Sequence, residues 1–365
     1  MNKVITADYC KPIHNKIQSK LKDYLIIGQG LAGILMTNEL RAHNLSFTAV
    51  ADTNKISATS VAAGMFNPLI FRRITKSWMV DDLLPVMYST FSDIEKWLDT
   101  QLIYRKPIVK LITESEYESW VTKNKNLEIN KYIQKLTKGN SIEGVINYFG
   151  SATIANSGYV DLGRLLNVYH QKLIDEESLL YANFRYNDLE IKDTHVQWNG
   201  LRFKNVIFCE GAFAVNNPLF KEVKYKLTKG DVLTLSIDNF KLDYIVNKMA
   251  FVLEKSKGVF LCGSTYNWSG LDFSCDKKDE QYLKEKISLI LDKPFDVVEH
   301  QIAVRPTVID RRPVLGTHAT YKNVHYFNGL GTKGVMLGPY FAKHMFEFLQ
   351  KNIPLNPEVN INRFF

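Results

Sequence analysis

The hydrophobic pattern near the start of the chain predicts a strand, a turn and a helix in direct succession. Residues 24–27, YLII, form a short apolar run typical of a buried strand, and glycine-rich sequence follows at once. A helical pattern occupies 31–40, and the stretch LSFTAVADTN then predicts a second strand that ends at Asp52. Residues 24–52 are therefore expected to form a βαβ unit.

Further along the chain, helical and strand-like patterns alternate. Helices are predicted over about 80–99, within 158–176, where Leu162, Leu165, Leu166 and Tyr169 form an apolar stripe, and over 279–292. The chain ends with another strand, glycine turn and helix at 323–350. The strand-like segments are a lysine-rich region at 103–160, short runs at 181–185 and 194–199, the run NVIFCEGAF at 205–213, and alternating segments within 224–305 that predict an antiparallel sheet.

Three glycines in the first turn have the spacing of a phosphate-binding loop. Gly28, Gly30 and Gly33 match G-x-G-x-x-G, in which the glycines allow a tight turn, close approach of a pyrophosphate and close helix packing. Asp52 lies nineteen residues beyond Gly33, where this fold places a carboxylate that binds the adenosine ribose. The alternative is a glycine-rich packing turn and a turn aspartate. The order of strand, turn, helix, strand and acid favours a dinucleotide site.

The nucleotide-binding pattern recurs at the start, middle and end of the chain, with antiparallel material between. A plain NAD dehydrogenase would continue with regular βαβ repeats, so the interruption indicates a flavoprotein. The predicted fold class is α/β + β: a discontinuous Rossmann-like FAD-binding domain with a parallel sheet, interleaved with a smaller substrate domain built on an antiparallel sheet. The segments are 21–90, 157–215 and 303–352 for the FAD-binding domain, 91–156 and 216–302 for the substrate domain, and 1–20 and 353–365 as extensions.

Composition and charge narrow the class of protein. Of the 365 residues, 45% are hydrophobic and 23% charged, which is typical of a soluble globular chain, and no apolar run is long enough to span a membrane. The first twenty residues lack a signal-peptide core. Four widely separated cysteines predict a cytoplasmic protein without a metal site: Cys10, Cys209, Cys262 and Cys275. The net charge of +8 favours anionic partners, with RNA a possible but less favoured one.

Eight motifs follow one another along nearly the whole chain: GQGLAG, SATSVAAGMFNP, GYVDLGRLL, VIFCEGAF, GSTYN, VRPTVIDRRPVLG, NGLGTKGVMLGP and INRFF. Together they resemble the D-amino-acid oxidase-like family of FAD-dependent oxidoreductases, which includes glycine oxidase, sarcosine oxidase and D-amino-acid dehydrogenase. The expected FAD-binding residues are Gly28, Gly30, Leu31, Ala32, Gly33, Asp52, Thr59, Ser60, Ala63, Gly64, Met65, Gly211, Gly329, Gly331, Thr332, Lys333, Gly334 and Val335. Sarcosine oxidase attaches its flavin through a cysteine in the segment that matches 303–316. This segment has none here, so non-covalent FAD is expected.

Three residues are expected to act in catalysis. Arg305 precedes Pro306, which favours an extended backbone, and its guanidinium could hold a substrate carboxylate through two parallel hydrogen bonds. The alternative is that Arg305 pairs with an interior acid such as Asp310. Tyr266 matches a pocket-lining position of the family. Lys333 could assist oxygen reduction, hold an anionic substrate, or be an ordinary surface lysine.

The resemblance implies oxidation of a small carboxylated amine or amino acid, with hydride transfer from the amine-bearing carbon to flavin N5 and hydrolysis of the resulting imine. One departure leaves an alternative open. Where glycine oxidase has F-R-N-G, this chain has Thr332, Lys333 and Gly334, a form similar to the FAD domain of the bifunctional enzyme that modifies a wobble uridine in tRNA. A flavoenzyme that acts on modified tRNA and a flavin-binding protein without turnover are the alternatives. The oligomeric state is not specified by the sequence.

Overall fold

The computed structural model describes residues 20–268 and 270–365, so Cys10 and almost all of the predicted extension at 1–20 lie outside the described residues. Within this part the chain forms eight α-helices. They are α1 (Leu31–Ala42), α2 (Ala58–Val61), α3 (Val80–Leu98), α4 (Glu114–Asn124), α5 (Leu127–Asn130), α6 (Leu162–Asp175), α7 (Lys277–Ser288) and α8 (Gly334–Lys351). None of these helices is long and apolar enough to cross a membrane.

The same described residues form twenty-one strands. They are β1 (Lys22–Ile27), β2 (Phe47–Ala51), β3 (Met65–Phe66), β4 (Leu69–Ile70), β5 (Thr75–Lys76), β6 (Ile103–Tyr104), β7 (Ile108–Ile112), β8 (Ile133–Lys138), β9 (Gly150–Ile154), β10 (Gly158–Val160), β11 (Leu179–Tyr181), β12 (Leu189–Ile191), β13 (Val196–Trp198), β14 (Leu201–Phe208), β15 (Thr228–Ser236), β16 (Ile245–Asn247), β17 (Phe251–Ser256), β18 (Val259–Gly263), β19 (Asp296–Arg305), β20 (Val314–Thr317) and β21 (Val324–Asn328). Two sheets of eight strands contain most of them.

The first sheet has a parallel centre. Strand β1 lies between β2 and β14, β11 pairs with the outer edge of β2, and β21 pairs with β14, all in parallel. Strand β20 adds to β21 in antiparallel orientation, and the β12–β13 hairpin pairs with the start of β14. Leu25 and Ile26 of β1 are completely buried. A central parallel strand covered on both faces needs a continuous apolar run, which YLII supplies.

Each face of this sheet packs on its own core. Helices α1 and α8 pack against each other, and residues such as Ile34 and Phe341 share one core with Ile26 of β1. On the opposite face Leu25 packs with Phe203 and Trp198. The alternation of side chains along β1 therefore separates the two cores.

The second sheet is mainly antiparallel. Its order is β19-β15-β18-β17-β16-β7-β9-β8, and only the β16–β7 pair is parallel. On one face Val246 and Val252 pack with Leu283 and Ile287 of α7. The opposite face carries Phe251 and Asn247 and points toward the first sheet. The sheet thus has one covered face and one face available to a ligand.

The predicted fold class is confirmed, because the chain alternates between a parallel-centred sheet and an antiparallel one. The helices expected near 80–99, within 158–176 and over 279–292 appear as α3, α6 and α7. The five-segment division of domains stays a prediction; strand β19 continues past the proposed boundary at 302. Residues 353–365 pack on the first sheet, where Leu315 N donates to Val359 O at 2.9 Å.

The strand-like interpretation of 103–160 is wrong in part, since this region contains the helices α4 and α5. Thr113 and Glu116 form a capping box at the start of α4, and Thr113 N donates to Glu116 Oε2 at 2.9 Å. This local signal selects a helix despite the weak apolar pattern. The strand expected at 181–185 occurs slightly earlier, as β11.

Candidate flavin and substrate site

A cavity of about 830 Å³ extends from the carboxyl ends of the parallel strands to the free face of the antiparallel sheet. Its walls come from the turn after β1, the end of β2, the segment 55–65, and the turn before α8. The antiparallel sheet contributes residues from β15 to β19. Crevices at the carboxyl ends of parallel strands are the usual ligand sites of open α/β sheets.

The glycine turn after β1 is shaped by close backbone contact. Gly28 has a φ of +94°, and a Cβ added there would lie 2.5 Å from the carbonyl oxygen of Cys209. A Cβ on Gly33 would collide with the carbonyl oxygen of Gly28, so this glycine lets α1 approach the strand. At Gly30 an added Cβ would reach Thr59 Oγ1 at 3.3 Å, and this residue is part of the cavity wall. Gly28 and Gly33 thus allow the tight turn and the close helix packing of the motif, and the approach of a pyrophosphate to Gly30 stays a prediction.

Two of the longer helices, α1 and α8, begin at the cavity wall beside the glycine turns. The first is α1, where Leu31 N donates to Thr59 Oγ1 at 2.9 Å. The second is α8, whose first residues Gly334 and Val335 line the cavity. Helix N-termini present N–H groups and a partial positive charge, so both ends favour a ligand with anionic groups.

Asp52 lies directly after β2, at the edge of the cavity. Its Oδ1 atom accepts a hydrogen bond from Asn54 N at 3.0 Å, and Oδ2 lies 3.4 Å from Lys55 Nζ. The carboxylate is therefore fixed at the carboxyl end of the second parallel strand. This is the position of a ribose-binding acid in dinucleotide folds.

Most of the FAD-binding residues predicted from the sequence line this cavity: Gly28, Gly30, Leu31, Ala32, Asp52, Thr59, Ser60, Ala63, Gly64, Met65, Gly211, Gly331, Thr332, Gly334 and Val335. Gly33, Gly329 and Lys333 are outside the wall. Gly329 has a φ of +76° and packs against Val308 and Val314, so it shapes the turn before α8.

Arg305, at the end of β19, points into the same cavity. Its Nη2 donates to Ser264 Oγ at 2.8 Å, its Nη1 donates to the carbonyl oxygens of Lys229 and Thr265 at 3.3 and 3.4 Å, and its guanidinium lies over the Tyr266 ring at 4.7 Å. Across 20–268 and 270–365 no Asp or Glu lies within ion-pair distance of it, although the buried carboxylate of Asp231 acts on its charge from behind Thr265. Burial lowers the pKa of Arg305, although an arginine stays charged at neutral pH.

The alternative pairing of Arg305 with Asp310 is wrong. Asp310 Oδ2 instead accepts a hydrogen bond from Arg363 Nε at 2.7 Å, near the end of the chain. The guanidinium of Arg305 is thus held by neutral oxygens and an aromatic ring. A partly buried cation in this setting suits an anionic ligand.

A buried hydrogen-bond network lies behind Arg305. Asp231 is completely buried, its N–H donates to Thr265 Oγ1 at 2.9 Å, and its Oδ2 accepts a hydrogen bond from the same hydroxyl. His300 Nε2 lies 2.8 Å from Asp231 Oδ1. Because Thr265 also supplies a carbonyl oxygen to Arg305, the network fixes one of the groups that orient the guanidinium.

Sequence reasoning missed Gly230, which makes room for Arg305. A Cβ on Gly230 would overlap the guanidinium carbon and both terminal nitrogens. A signal existed, because a glycine inside an otherwise regular strand often marks the close approach of another group.

Tyr266, Met249 and Phe251 form an apolar part of the cavity wall, as the expected position of Tyr266 requires. Tyr266 is 57% exposed and Met249 47%, whereas Phe251 is buried. The exposed pair lies where the cavity opens to solvent. A substrate entering there would meet Arg305 below the Tyr266 ring.

Lys333 precedes α8, and its Nζ donates to Ser77 Oγ. The side chain is half-buried, and burial lowers its pKa to about 8. The alternative of an ordinary surface lysine is therefore wrong. A catalytic role for Lys333 stays a prediction.

The parallel sheet with its glycine turn is typical of a dinucleotide-binding fold. The free face of the antiparallel sheet adds a second wall to the same cavity, as in an enzyme that brings a substrate to a bound dinucleotide. Three solved structures have the same fold. Iminodiacetate oxidase from Chelativorans sp. BNC1 is 17% identical with a TM-score of 0.76, over 92% of this chain and 98% of that chain. Glycine oxidase from Bacillus cereus ATCC 14579 is 14% identical with a TM-score of 0.76, over 91% and 96%. Glycine oxidase from Geobacillus kaustophilus is 16% identical with a TM-score of 0.75, over 93% and 98%.

The family model described as DAO, FAD dependent oxidoreductase, matches residues 23–348. The chain belongs to this family and is an FAD-dependent oxidoreductase. The cavity fits the cofactor, because a dinucleotide would meet the Gly28–Gly30 turn, the carboxylate of Asp52 and the N-termini of two helices. Non-covalent attachment stays a prediction.

Proposed function

We propose that this protein oxidises a small amine or amino acid that carries a carboxylate. The observation that carries the proposal is the guanidinium of Arg305, which faces the cofactor cavity without a carboxylate partner among the described residues. A substrate carboxylate would complete its hydrogen bonding through the planar fork. The names of the similar structures, iminodiacetate oxidase and glycine oxidase, support an amine substrate.

The residues of the cavity would position the substrate for oxidation of its amine by hydride transfer. FAD, when bound, accepts a hydride from the carbon that bears the amine. The hydride takes the electron pair of the broken C–H bond, and the lone pair of the neutral amine nitrogen forms the C=N bond. An N–H proton passes to water, and water then hydrolyses the imine to a carbonyl compound and the released amine. Arg305 would fix the carboxylate and so hold the reacting C–H bond in place, while Tyr266 and Phe251 pack beside it. We also infer a cytoplasmic location from the scattered cysteines.

The test measures flavin bleaching when the anaerobic holoenzyme is mixed with glycine, sarcosine, D-amino acids or modified tRNA. Arg305→Ala should lower kcat/KM. The loss corresponds to about 2–5 kcal/mol of transition-state stabilisation, because the carboxylate loses its charged partner in a partly buried site. Arg305→Lys keeps the charge but not the planar fork, so an intermediate loss is expected.

Three results would contradict the proposal. Equal kcat/KM for wild type and Arg305→Ala would show that Arg305 does not bind the substrate. A holoenzyme that none of the amines reduces would favour the non-catalytic alternative, whereas reduction by modified tRNA alone would favour the RNA substrate. Arg185 is exposed, so Arg185→Ala is the control for the general effect of removing a positive charge.

A further inference from the structure

A second positive group lies behind the cavity wall, on the same face of the antiparallel sheet as Phe251. Lys110 is in β7 and pairs with Asn247 of β16, which lines the cavity. The neighbours Ile108 and Ile112 pack in the core on this face, whereas Val109 and Leu111 pack on the α7 side. Side chains alternate along a strand, so Lys110 is directed toward the cavity side of the sheet.

Lys110 is a buried ammonium held by neutral groups. It is 8% exposed, and its Nζ donates to the carbonyl oxygen of Lys248 at 2.9 Å and to Asn247 Oδ1 at 3.4 Å. The Phe71 ring lies 5.8 Å from Nζ. In the described part of the chain no carboxylate forms an ion pair with Lys110, and a buried charge is normally paired.

The carboxylate that acts on the charge of Lys110 is already engaged by another lysine. Glu116 Oε2 accepts a hydrogen bond from Lys248 Nζ at 2.6 Å. The group of Lys110, Lys248 and Glu116 therefore carries one positive charge more than it carries negative charge. Asn247 lies between this excess charge and the cavity. Its Oδ1 accepts a hydrogen bond from Lys110, so the Nδ2 group of the same amide is available to donate to a ligand.

The two positive regions lie on one face of the sheet. The guanidinium of Arg305 is above Gly230 of β15, and Asn247 ends β16, three strands further along the sheet. Neighbouring strands are about 4.8 Å apart, so the backbone positions beneath the two groups are about 14 Å apart. The two side chains and a hydrogen bond of about 2.9 Å at each end cover part of this distance, and a ligand with a carboxylate at each end would cover the rest.

We propose that Asn247 and Lys110 form a second anion subsite, which binds the distal carboxylate of an aminodicarboxylate while Arg305 binds the first. Asn247 is the contacting residue and Lys110 the positioning residue, because it orients the amide and supplies the positive charge. This subsite rests on the proposed amine oxidation and specifies its substrate class.

The test compares substrates that differ only in the distal carboxylate: iminodiacetate with sarcosine, and glutamate with norvaline, as either enantiomer. In the wild-type holoenzyme the concentration needed for half-maximal flavin reduction should be lower for the dicarboxylates. Lys110→Met and Asn247→Ala should reduce this preference by about 10- to 100-fold, the effect of losing a hydrogen bond to a charged group. Because Lys110 lies behind the cavity wall, Lys110→Met should leave sarcosine and norvaline nearly unchanged. Lys110→Arg should retain most of the preference.

The pH dependence gives a second readout. Burial and the neighbouring Lys248 lower the pKa of Lys110 to about 8. The preference should therefore be present below pH 8 and decline as pH rises through that value, and this decline should be absent in Lys110→Met. The charged groups facing Lys110 are Lys248, after β16, and Glu116 of α4.

A binding measurement separates this subsite from the proposed reaction. Glutarate and pentanoate cannot be oxidised as amines, and their binding is measured by the change in flavin absorbance. Tighter binding of glutarate that Lys110→Met and Asn247→Ala abolish supports the subsite even if no amine reduces the flavin. Equal binding of the two acids, or a preference unchanged in both variants, overturns it. Lys135→Met, an exposed lysine on the same sheet, is the matched control.

Discussion

At the scale of single residues, the arginine of the site depends on a missing side chain. Gly230 lies directly beneath the guanidinium of Arg305, and a methyl group there would overlap it. We predict that Gly230→Ala displaces Arg305 and weakens binding of a carboxylated substrate by about tenfold or more, since hydrogen bonds to a charged group are lost. The measurement is kcat/KM beside flavin content, which should stay at the wild-type level.

A matched glycine elsewhere controls for this substitution. Gly163 in α6 has open space around its Cα, where an added Cβ meets only Asp161 Oδ1 at 3.8 Å. Gly163→Ala should leave kcat/KM unchanged. An unchanged kcat/KM in Gly230→Ala as well would mean that Arg305 can bind its ligand from another position.

At the scale of elements, the β20–β21 pair contains a buried histidine with a pH-dependent contribution to stability. His325 Nε2 lies 3.2 Å from Asn205 Oδ1 and Nδ1 lies 2.9 Å from Thr317 Oγ1, and burial lowers its pKa to about 3. The folded state thus keeps the ring neutral, whereas the unfolded chain protonates it below about pH 6.5. The contribution of His325 is present above that pH and is lost as pH falls toward 3.

This contribution predicts the result of unfolding experiments. The free energy of unfolding of the wild-type holoprotein should fall by about 2 kcal/mol between pH 7 and pH 5 from this residue alone. His325→Gln should lose stability at pH 7 but show a smaller further decrease at pH 5. Identical pH slopes in denaturant titrations of the two proteins would assign the acid sensitivity to other groups.

At the scale of the whole molecule, the net charge of +8 allows two classes of partner with different salt dependence. A small carboxylated amine meets few charges, so kcat/KM should change only slightly between about 50 and 200 mM salt. An RNA that contacts several lysines would release counterions, and affinity would fall by about 10³ or more over the same range. We expect the shallow dependence, and a steep one would favour the RNA alternative.

Local sequence signals identified most of the residues that line the cavity beside the parallel sheet. Gly28 and Gly33 are predictable because a turn that approaches neighbouring backbone so closely excludes a Cβ. The helix α4 was not predicted because its apolar pattern is weak. The capping box of Thr113 and Glu116 is the local signal that indicates it. The FAD-binding role of Gly329 rests on a motif and stays a prediction; a Cβ on this residue would meet Val308 and Val314.

The sequence by itself determined the glycine turn, the carboxylate after the second strand and the order of the two sheets, because these follow from local backbone geometry and hydrophobic periodicity. Only the tertiary structure decided which partners the arginine and lysine side chains contact. Asp310 pairs with Arg363, 53 residues away, and Arg305 instead contacts Ser264. Lys110 meets Asn247 across 137 residues of chain. Such pairings depend on strand order and burial, which no local pattern encodes.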